Sequence, residues 1–472
     1  MQTNFIMIAY IFSAILFILG IKRLGKVATA RRGNFLSALG MLIAIIATLF
    51  KMDGIPLYWI ITGIGIGSII GAFSAKRVAM TSMPEMVAIF NGFGGGASAL
   101  VASAELFKIL NNKEINLISN SNNDITLTMI TIIISVIIGS LTFSGSFIAW
   151  GKLQGKISGQ PITFPGQNIF NGIILLILFC VGFIFVLNPS NLSLFLIILL
   201  IGLSLGILSV IPIGGADMPV VISLLNSYSG IAAASTGFVL QNQALIVSGC
   251  LVGASGIFLT TIMCKGMNRS LSNVLFSAFG KTEGNSVLPK SLSDVSIKEM
   301  SAENAAFTMQ AAESIIIVPG YGMAVAQAQH EVKKLTDELE KSGVNVKFAV
   351  HPVAGRMPGH MNVLLAEANI AYDKLFDMDE INDDFSGTDV VLIIGANDVV
   401  NPAARHDSSS PIFGMPILNV DHAKTTFVLK RTMNPGFAGI SNELFGYENN
   451  YMVFGDAKNS ISSFVNTLKE DS

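Results

Sequence analysis

The first 265 residues alternate between long apolar stretches and short polar connections. A helix that crosses the hydrocarbon core of a bilayer needs about 20 predominantly apolar residues. Nine stretches meet this requirement, near residues 4–21, 34–50, 57–75, 84–108, 125–150, 168–187, 192–212, 217–238 and 243–264. The third, fourth and eighth are rich in Gly and Ser and are expected in the interior of the bundle, because small residues let membrane helices approach closely. The pattern predicts a polytopic α-helical membrane domain over residues 1–265, with about nine spans.

A different pattern follows the ninth stretch. Residues 266–310 are more polar and predict a linker with room for one amphipathic helix. Short β-branched runs then alternate with helix-forming stretches. Strands are expected at 314–318, 344–350, 390–394, 416–420, 426–430 and 451–454, and helices at 323–341, 359–372 and 457–468. This alternation is typical of a parallel, doubly wound sheet. We therefore expect an α/β, Rossmann-like domain over residues 311–472.

Composition and charge support this division of the 472-residue chain. Only 13% of the residues are charged, and 51% are hydrophobic, whereas globular chains carry about 25% charged residues. These values exclude a single soluble enzyme and a disordered chain. Residues 1–275 hold 14 basic and 6 acidic residues, which leaves 15 basic and 25 acidic residues for the rest. The net charge of −2 gives no basic surface for nucleic acid.

The basic residues also predict the orientation of the spans. They concentrate in the first, third and fifth connections: Lys22, Arg23, Lys26, Arg31 and Arg32, then Lys76 and Arg77, then Lys152 and Lys156. The positive-inside rule places these connections in the cytoplasm. Nine spans then place the C-terminal domain in the cytoplasm as well. The first apolar stretch lacks a basic leader and a cleavage site, so we interpret it as a retained span.

Several polar residues fall at membrane depth, where they are costly and suggest function. They are Asn91, Glu105, Asp217, Asn226, Ser227, Ser229, Gln241 and Asn242. They could also cap or bridge helices. Asn91 and Asn226 lie in mid-span, which favours a functional role. All five histidines lie after residue 275, so this chain supplies no imidazole within its spans.

The three cysteines, Cys180, Cys250 and Cys264, lie in or beside apolar stretches without metal-like spacing. They are expected to be buried small hydrophobic residues. Neither a disulfide nor a metal site is predicted.

The first predicted strand of the C-terminal domain leads through Gly320-Tyr321-Gly322 into a helix. This arrangement is a candidate dinucleotide-binding turn, because glycines permit a tight turn and a close backbone approach to a pyrophosphate. The third glycine of the usual pattern is absent, since position 325 is Val. Gly395-Ala396-Asn397-Asp398 and Gly455-Asp456-Ala457-Lys458 follow other strands and are expected at the same edge.

Two further features favour NADP(H) over NAD(H). An acidic residue after the second strand would bind the ribose 2′-hydroxyl of NAD, but the segment from His351 to Arg356 contains no carboxylate. Lys430-Arg431 follows the fifth strand and suits a 2′-phosphate, because Arg binds phosphate oxygens bidentately. The alternative for this pair is an ordinary solvated surface.

These motifs resemble the beta subunit of the proton-translocating NAD(P) transhydrogenases over nearly the whole chain. The soluble motifs that carry the resemblance are 318–329, 351–360, 395–398 with 401–404, Lys430-Arg431, and 455–458. In the membrane part, Met83-Pro84-Glu85, Asp217-Met218-Pro219 and 226–230 are similar to family motifs.

The resemblance implies an enzyme of the Re/Si-specific type in the cell inner membrane. This chain would bind NADP(H), and a separate alpha subunit would hold NAD(H), with the complex forming a dimer of alpha–beta units. Gly320, Gly322, Ala324 and Val325 would lie at the pyrophosphate, and Asp398 at the nicotinamide end, as the catalytic residue. Lys430 and Arg431 would hold the 2′-phosphate. The other implied cofactor contacts are Tyr321, Met323, His351, Ala354, Gly355, Arg356, Gly395, Ala396, Asn397, Gly455, Asp456 and Ala457.

The resemblance also implies a proton path with Asn91, Asp217 and Asn226. Some family members have a histidine, a proposed proton relay, at the position of Asn91. In members with Asn there, the imidazole is thought to come from an alpha-type chain, and we expect the same here.

One rival function is a channel or transporter gated by a nucleotide-sensing domain. It would prefer a carboxylate after the second strand and a pore-loop filter, and neither is evident in the sequence. A membrane flavin or quinone oxidoreductase likewise lacks a supporting motif.

Overall fold

The computed structural model of the chain describes most of its residues. The described residues are 2–25, 27–51, 56–78, 82–111, 122–159, 161–267, 270–276, 297–355, 359–408, 410, 412–436 and 438–470. They form two compact units. The first contains residues 1–261 and 271–280, and the second contains residues 262–270 and 281–472.

The first unit is built from long apolar helices. They are α1 (Gln2–Leu24), α2 (Val27–Lys51), α3 (Leu57–Arg77), α4 (Met83–Asn111), α5 (Asn122–Leu153), α6 (Gln167–Leu187), α7 (Leu192–Val210), α8 (Met218–Val239) and α9 (Gln243–Gly266). A short helix, α10 (Leu271–Phe276), follows. Among the described residues, nine helices are long and apolar enough to cross a membrane. The predicted multi-pass architecture is confirmed.

Helix α5 lies at the centre of the first unit, where it packs against α4, α7 and α8. The hydroxyl groups of Ser135 on α5 and Thr236 on α8 are 2.7 Å apart. Both also lie 3.3 Å from the carbonyl oxygen of Ser98 on α4. Small residues let α8 and α9 approach closely, and the hydroxyl of Ser227 donates to the carbonyl of Gly253 at 2.8 Å. The most buried helix of the nine is α8, as its Gly- and Ser-rich sequence predicted. The same prediction is wrong for α3, whose membrane-spanning window has no buried residues among the described part of the chain.

The second unit contains a six-stranded parallel sheet. Its strands are β1 (Ser314–Pro319), β2 (Asn345–Val350), β3 (Leu375–Asp377), β4 (Val390–Ile394), β5 (Thr425–Lys430) and β6 (Asn450–Phe454). The order across the sheet is β3-β2-β1-β4-β5-β6. Connections run outward in both directions from the β1–β4 pair, so this pair marks the switch point where ligands bind in doubly wound sheets. The predicted Rossmann-like fold is confirmed.

Helices flank this sheet. They are α11 (Ala302–Gln310), α12 (Tyr321–Val325), α13 (Gln329–Lys341), α14 (His360–Glu367), α15 (Met378–Ile381), α16 (Ala403–His406) and α17 (Ala457–Glu470). Strands β1 and β4 are buried almost throughout, as expected for central strands covered on both faces. Within the segment that the sequence predicted as a linker, α11 packs against α17. Just before it, Glu299 forms a parallel bridge with Met452 of β6.

Three secondary-structure predictions in the second unit are wrong. Residues 416–420 form no strand, because other parts of the chain bind their backbone: the carbonyl of Ile417 accepts from the Asn382 side chain, and the amide of Leu418 donates to Val399. Strand β3 was missed, since three residues are too few to show a pattern. The helix predicted over 323–341 is two helices, because Gln327 has a left-handed backbone (φ 48°) that ends α12.

Two predictions about single residues are also corrected in the first unit. Lys152 was expected in a connection, but it lies in the last turn of α5 and is buried. Cys180 and Cys250 are exposed on the helices that carry them, and only Cys264 is buried. The outer surface of a membrane helix faces hydrocarbon, so an apolar residue there needs no interior position.

Candidate functional site

The carboxyl ends of four neighbouring strands are joined by backbone hydrogen bonds. The amide of Gly320, after β1, donates to Ile394 at the end of β4 (2.9 Å). The amide of Gly395 donates to Leu429 of β5 (3.2 Å), and that of Gly455 donates to Lys430 (3.1 Å). The loops predicted to carry the site therefore start from one continuous, ordered edge.

Glycines allow two of these loops to touch at the switch point. A Cβ atom on Gly320 would lie 2.4 Å from the Cα of Ala396, and one on Gly322 would lie 2.7 Å from the Cα of Gly395. Gly395 also has a positive φ of 66°, which residues with a side chain rarely adopt. The amide of Gly322 donates to the carbonyl of Gly395 at 2.9 Å. These glycines therefore bring the β1 and β4 loops into direct backbone contact.

The side chains of α12 divide into two sets. Met323 and Ala324 are fully buried, so they anchor the helix to the core of the second unit. Tyr321 is half-buried, and its ring centroid lies 6.4 Å from that of His360. Val325, at the position of the missing third glycine, is 44% exposed. Tyr321 and Val325 are therefore the α12 side chains with accessible surface.

Residues after β5 fold back over the end of β4. The amide of Ala438 donates to the Asp398 carboxylate at 3.0 Å. A Cβ atom on Gly436 would lie 2.5 Å from the same carboxylate, so a side chain there would require the carboxylate to move. The side-chain amide of Asn442 donates to the backbone carbonyl of Asn397 at 3.0 Å. Asp398 and Asn397 therefore hold this β5 loop, which we define as residues 431–442, against the β4 end.

Lys430 and Arg431 have different environments. The Lys430 ammonium is half-buried, donates to the carbonyl of Asn434 at 2.6 Å, and lies 4.8 Å from the Phe445 ring centroid. Burial lowers the pKa of Lys430, and the nearby Asp398 carboxylate opposes that shift. Arg431 is exposed. Arg431 is therefore available to an outside anion, whereas Lys430 also holds the β5 loop.

The segment after β2 is fixed by a buried histidine. His351 donates from Nε2 to the carbonyl of Pro416 (2.8 Å), and its Nδ1 accepts from the amide of Val353 (3.2 Å). Burial lowers the pKa of His351 to about 4, so the ring is neutral. Ala354 is buried beside it, and Gly355 has a φ of 101°. A side chain on Gly355 would collide with His360. Arg356 lies outside the described residues.

The loop after β6 contributes a helix cap. Gly455 leads to Asp456, whose side-chain oxygen accepts from the amides of Lys458 and Asn459 at 3.1 and 3.4 Å. Ala457, the first residue of α17, is buried. Asp456 therefore satisfies the free amides at the start of α17, as an N-cap residue does.

The residues expected on the proton path lie on α4 and α8, which pack against each other, or directly before α8. Asn91 is 8% exposed, and within the described part of the chain neither end of its side-chain amide has a hydrogen-bond partner. Its backbone carbonyl accepts from the Ser229 hydroxyl at 3.0 Å. Asn226 is half-buried one turn before Ser229, and Asp217 is buried just before α8 begins. Asp217 and Asn226 are about 13 Å apart along the helix axis.

Comparison with known proteins decides the family. A model of the NAD(P) transhydrogenase beta subunit matches residues 6–467. The NAD(P) transhydrogenase subunit beta of Rhodospirillum rubrum is 48% identical over 468 residues, which cover 99% of this chain and 100% of the relative. A second sequence of that name, from a named strain of the same species, gives the same values.

The chain belongs to the NAD(P) transhydrogenase beta subunit family.

Within this family member, the structure brings most of the predicted cofactor residues to one edge of the sheet. It adds two residues that the sequence reading did not include in the site. Asn401 is fully buried and donates to Ser441 at 3.0 Å, and Asn442 binds Asn397 from the other side. Asn442 lies 45 positions after Asn397, so no local pattern connects them. In the sequence, Asn401 appeared only within the family motif at 401–404, and no feature marked Asn442.

Proposed function

We propose that this chain is the NADP(H)-binding, proton-conducting subunit of a Re/Si-specific transhydrogenase. Hydride would pass between NAD(H) on a partner alpha subunit and NADP(H) at the β1–β4 edge of this chain. The glycine contact between the β1 and β4 loops, beside exposed Arg431, is the observation that carries this proposal.

The residues at this edge fit a dinucleotide with a 2′-phosphate. Strand β1 leads through Gly320 and Gly322 into α12, which is the strand–turn–helix arrangement where a pyrophosphate binds in dinucleotide sites. Arg431 offers a guanidinium that can bind phosphate oxygens in pairs. No carboxylate among the described residues follows β2 directly, where a 2′-hydroxyl partner would stand. This donor set favours NADP(H) over NAD(H).

The nicotinamide rings supply the redox chemistry when they are bound. The chain's own residues would bind the nucleotide and orient its nicotinamide ring. Asp398, held by the amide of Ala438, would position the nicotinamide end without acting as an acid or a base. Arg431 and Lys430 would hold the other end of the nucleotide, and Arg356 would contact it from the β2 loop.

We propose that hydride transfer in this enzyme is coupled to proton movement across the membrane. The NAD and NADP couples are chemically alike, so hydride transfer alone is nearly isoenergetic. A proton that crosses the membrane supplies about 2.3 kcal/mol per 100 mV. Protonation of Asp217, on a path that includes Asn91 and Asn226, would change the relative affinity for NADP⁺ and NADPH, and the nucleotide would change the proton affinity in return. The unpartnered amide of buried Asn91 is where we expect an imidazole from an alpha-type chain to bind.

The proposed orientation rests on the positive-inside pattern, and the proposed membrane and assembly rest on the family to which the chain belongs. The positive-inside pattern places the C-terminal domain in the cytoplasm, where nucleotides are available. The complex would lie in the cell inner membrane as a dimer of alpha–beta units.

Separate titrations of NADP⁺, NADPH, NAD⁺ and NADH into the full chain in detergent would test the proposal by calorimetry. We expect tight binding of both NADP forms and little binding of the NAD forms. A preference for NAD would contradict the proposal and favour a transporter gated by a nucleotide-sensing domain. Absence of binding by a folded chain would contradict both.

A further inference from the structure

A buried lysine holds the turn that leads into α8. Lys152 lies in the last turn of α5 but is only 4% exposed. Its Nζ atom donates to the carbonyl oxygens of Ile211 (2.5 Å) and Ile213 (2.7 Å), which directly follow α7. A lysine near the end of a membrane helix usually extends toward the headgroups. Lys152 instead turns inward.

The apolar surroundings of Lys152 require its ammonium group to be hydrogen-bonded. Leu153, Val210, Ile213 and Met218 are buried in one apolar cluster at this end of the helices. Burying an ammonium group in apolar surroundings is costly unless it is hydrogen-bonded. Ile211 is the C-cap residue of α7 and Ile213 follows two positions later, so both carbonyls lie close to the negative end of the α7 dipole. The ammonium and the end of α7 therefore satisfy each other.

The same turn carries a residue of the proposed proton path. Asp217 lies four residues after Ile213, is 8% exposed, and immediately precedes α8. The segment after α5 also binds this turn, through Gly215 N to Gly159 O (2.8 Å) and Ile162 N to Ile211 O (3.3 Å). The turn before Asp217 is thus fixed from α5 by one side chain and from residues 159–162 by backbone bonds.

We infer that Lys152 is a positioning residue for proton translocation: its ammonium fixes the α7–α8 turn and thereby sets the place of Asp217 at the start of α8. This inference rests on the proposed function, in which Asp217 belongs to the proton path. Loss of the ammonium leaves the Ile211 and Ile213 carbonyls without these donors, so the turn and Asp217 shift. Residues that bind the nucleotide are not involved. Lys152 is therefore needed for reactions that move protons and not for hydride transfer itself.

The chain offers a matched control. Lys156 lies four residues later, is exposed, and places its ammonium 4.3 Å from the Trp150 ring centroid. Lys156→Met removes the same charge from the same end of α5 without touching the α7–α8 turn. Lys152→Arg keeps a charged donor at the buried position, whereas Lys152→Met removes it.

The test uses the complete complex with its alpha partner in proteoliposomes and compares two reactions. Net transhydrogenation between NADPH and NAD⁺ is followed together with the pH difference that it generates. Hydride exchange between NADH and an oxidised NAD analogue, through NADP(H) that stays bound, needs no net proton movement. We expect Lys152→Met to slow the net reaction and the pH change by about 10-fold and to leave exchange within about two-fold. Lys152→Arg should recover most of the loss, and Lys156→Met should match the wild type.

Two outcomes would overturn the inference. One is a Lys152→Met complex that builds the wild-type pH difference. The other is an equal loss of exchange and net reaction, since that pattern reports damage to the fold. Failure of the proposed function is a separate result: the wild-type complex itself would then transfer hydride without moving protons.

Discussion

Adjacent basic residues can have different tasks, as Lys430 and Arg431 do. Lys430 is half-buried and bonded to the Asn434 carbonyl, so much of its donor capacity serves the β5 loop. Arg431 is exposed and projects from the same strand end. A 2′-phosphate at this edge would therefore depend on Arg431 for affinity, and on Lys430 for the loop that shapes the site as well.

Replacing Arg431 should distinguish NADP from NAD binding. A hydrogen bond to a charged group contributes about 1.5–3 kcal/mol, so Arg431→Gln should weaken NADP⁺ and NADPH binding by about 10- to 100-fold. Binding of NAD⁺, which lacks the 2′-phosphate, should not change. Calorimetry on the full chain measures both. Lys469→Gln, at the far end of α17, is the charge-matched control, and an equal effect of the two variants would exclude Arg431 as the phosphate ligand.

His351 should make the second unit sensitive to acid. The folded ring has a pKa of about 4, whereas a free histidine titrates near 6.5. The unfolded chain therefore binds a proton in this range that the folded chain does not. Stability is fully present above about pH 6.5 and falls as the pH drops toward 4, by up to about 3 kcal/mol. Hydrogen exchange of β2 amides in the full chain, corrected for intrinsic rates, measures the loss.

His351→Gln is the control for this pH dependence, because an amide can still donate to Pro416 but does not titrate in this range. The variant should lose most of the acid sensitivity of β2. An unchanged pH profile in the variant would mean that another group is responsible.

At the scale of elements, the β1–β4 crossing positions the site. The two loops meet through backbone atoms, and the space between them admits no side chain. The Gly-x-Gly sequence predicted a tight turn with close approach, and the structure has this geometry. The partner in the close approach is the β4 loop, which no local sequence pattern identifies because the two loops lie more than 70 positions apart.

An added methyl group should open this crossing. Gly322→Ala places a Cβ atom 2.7 Å from the Cα of Gly395, so one backbone must move. We expect a loss of about 1–3 kcal/mol in stability, together with weaker NADP(H) binding. Gly387→Ala, where the added atom meets open space, should be nearly neutral. Thermal unfolding and calorimetry of the two variants test this, and equal behaviour would contradict the described contact.

The same test applies to the helices α8 and α9. Gly230→Ala would bring a Cβ atom to 2.3 Å from the backbone nitrogen of Gly253. Membrane helices at such contacts depend on small residues, so we expect about 1–3 kcal/mol of destabilisation in detergent. Gly63→Ala on α3, with no neighbour within 4 Å, is the control. Thermal inactivation of the complex reports the difference, and equal half-lives would argue against close packing of α8 on α9.

The elements that the sequence predicted correctly share a long or strong pattern. The nine apolar stretches reflect the length of the hydrocarbon core and the five longer strands reflect burial in the sheet, and both requirements act on every residue of the element. The errors lie where a single contact determines the local backbone structure. The left-handed Gln327 divides a helical sequence, and side-chain bonds from Asn382 hold residues near 416–420 out of the sheet. The Asn442–Asn397 contact and the inward turn of Lys152 likewise depend on partners distant in sequence.

For the whole molecule, we propose that one chain links a nucleotide-binding edge to a row of polar residues on membrane helices. Asn91, Asp217 and Asn226 lie on or beside α4 and α8, while Gly320, Asp398 and Arg431 lie at the sheet edge. We propose that their presence in one chain serves an exchange of free energy between nucleotide binding and protonation.

The most direct test is net transhydrogenation by the full complex in sealed proteoliposomes. Reduction of NAD⁺ by NADPH should generate a transmembrane pH difference that a protonophore abolishes, and an imposed gradient should drive NADP⁺ reduction by NADH. The Asp217→Asn complex should lose both effects and retain hydride exchange through bound NADP(H). A wild-type complex that transfers hydride at the same rate and extent with or without a gradient, and acidifies nothing, would contradict the account.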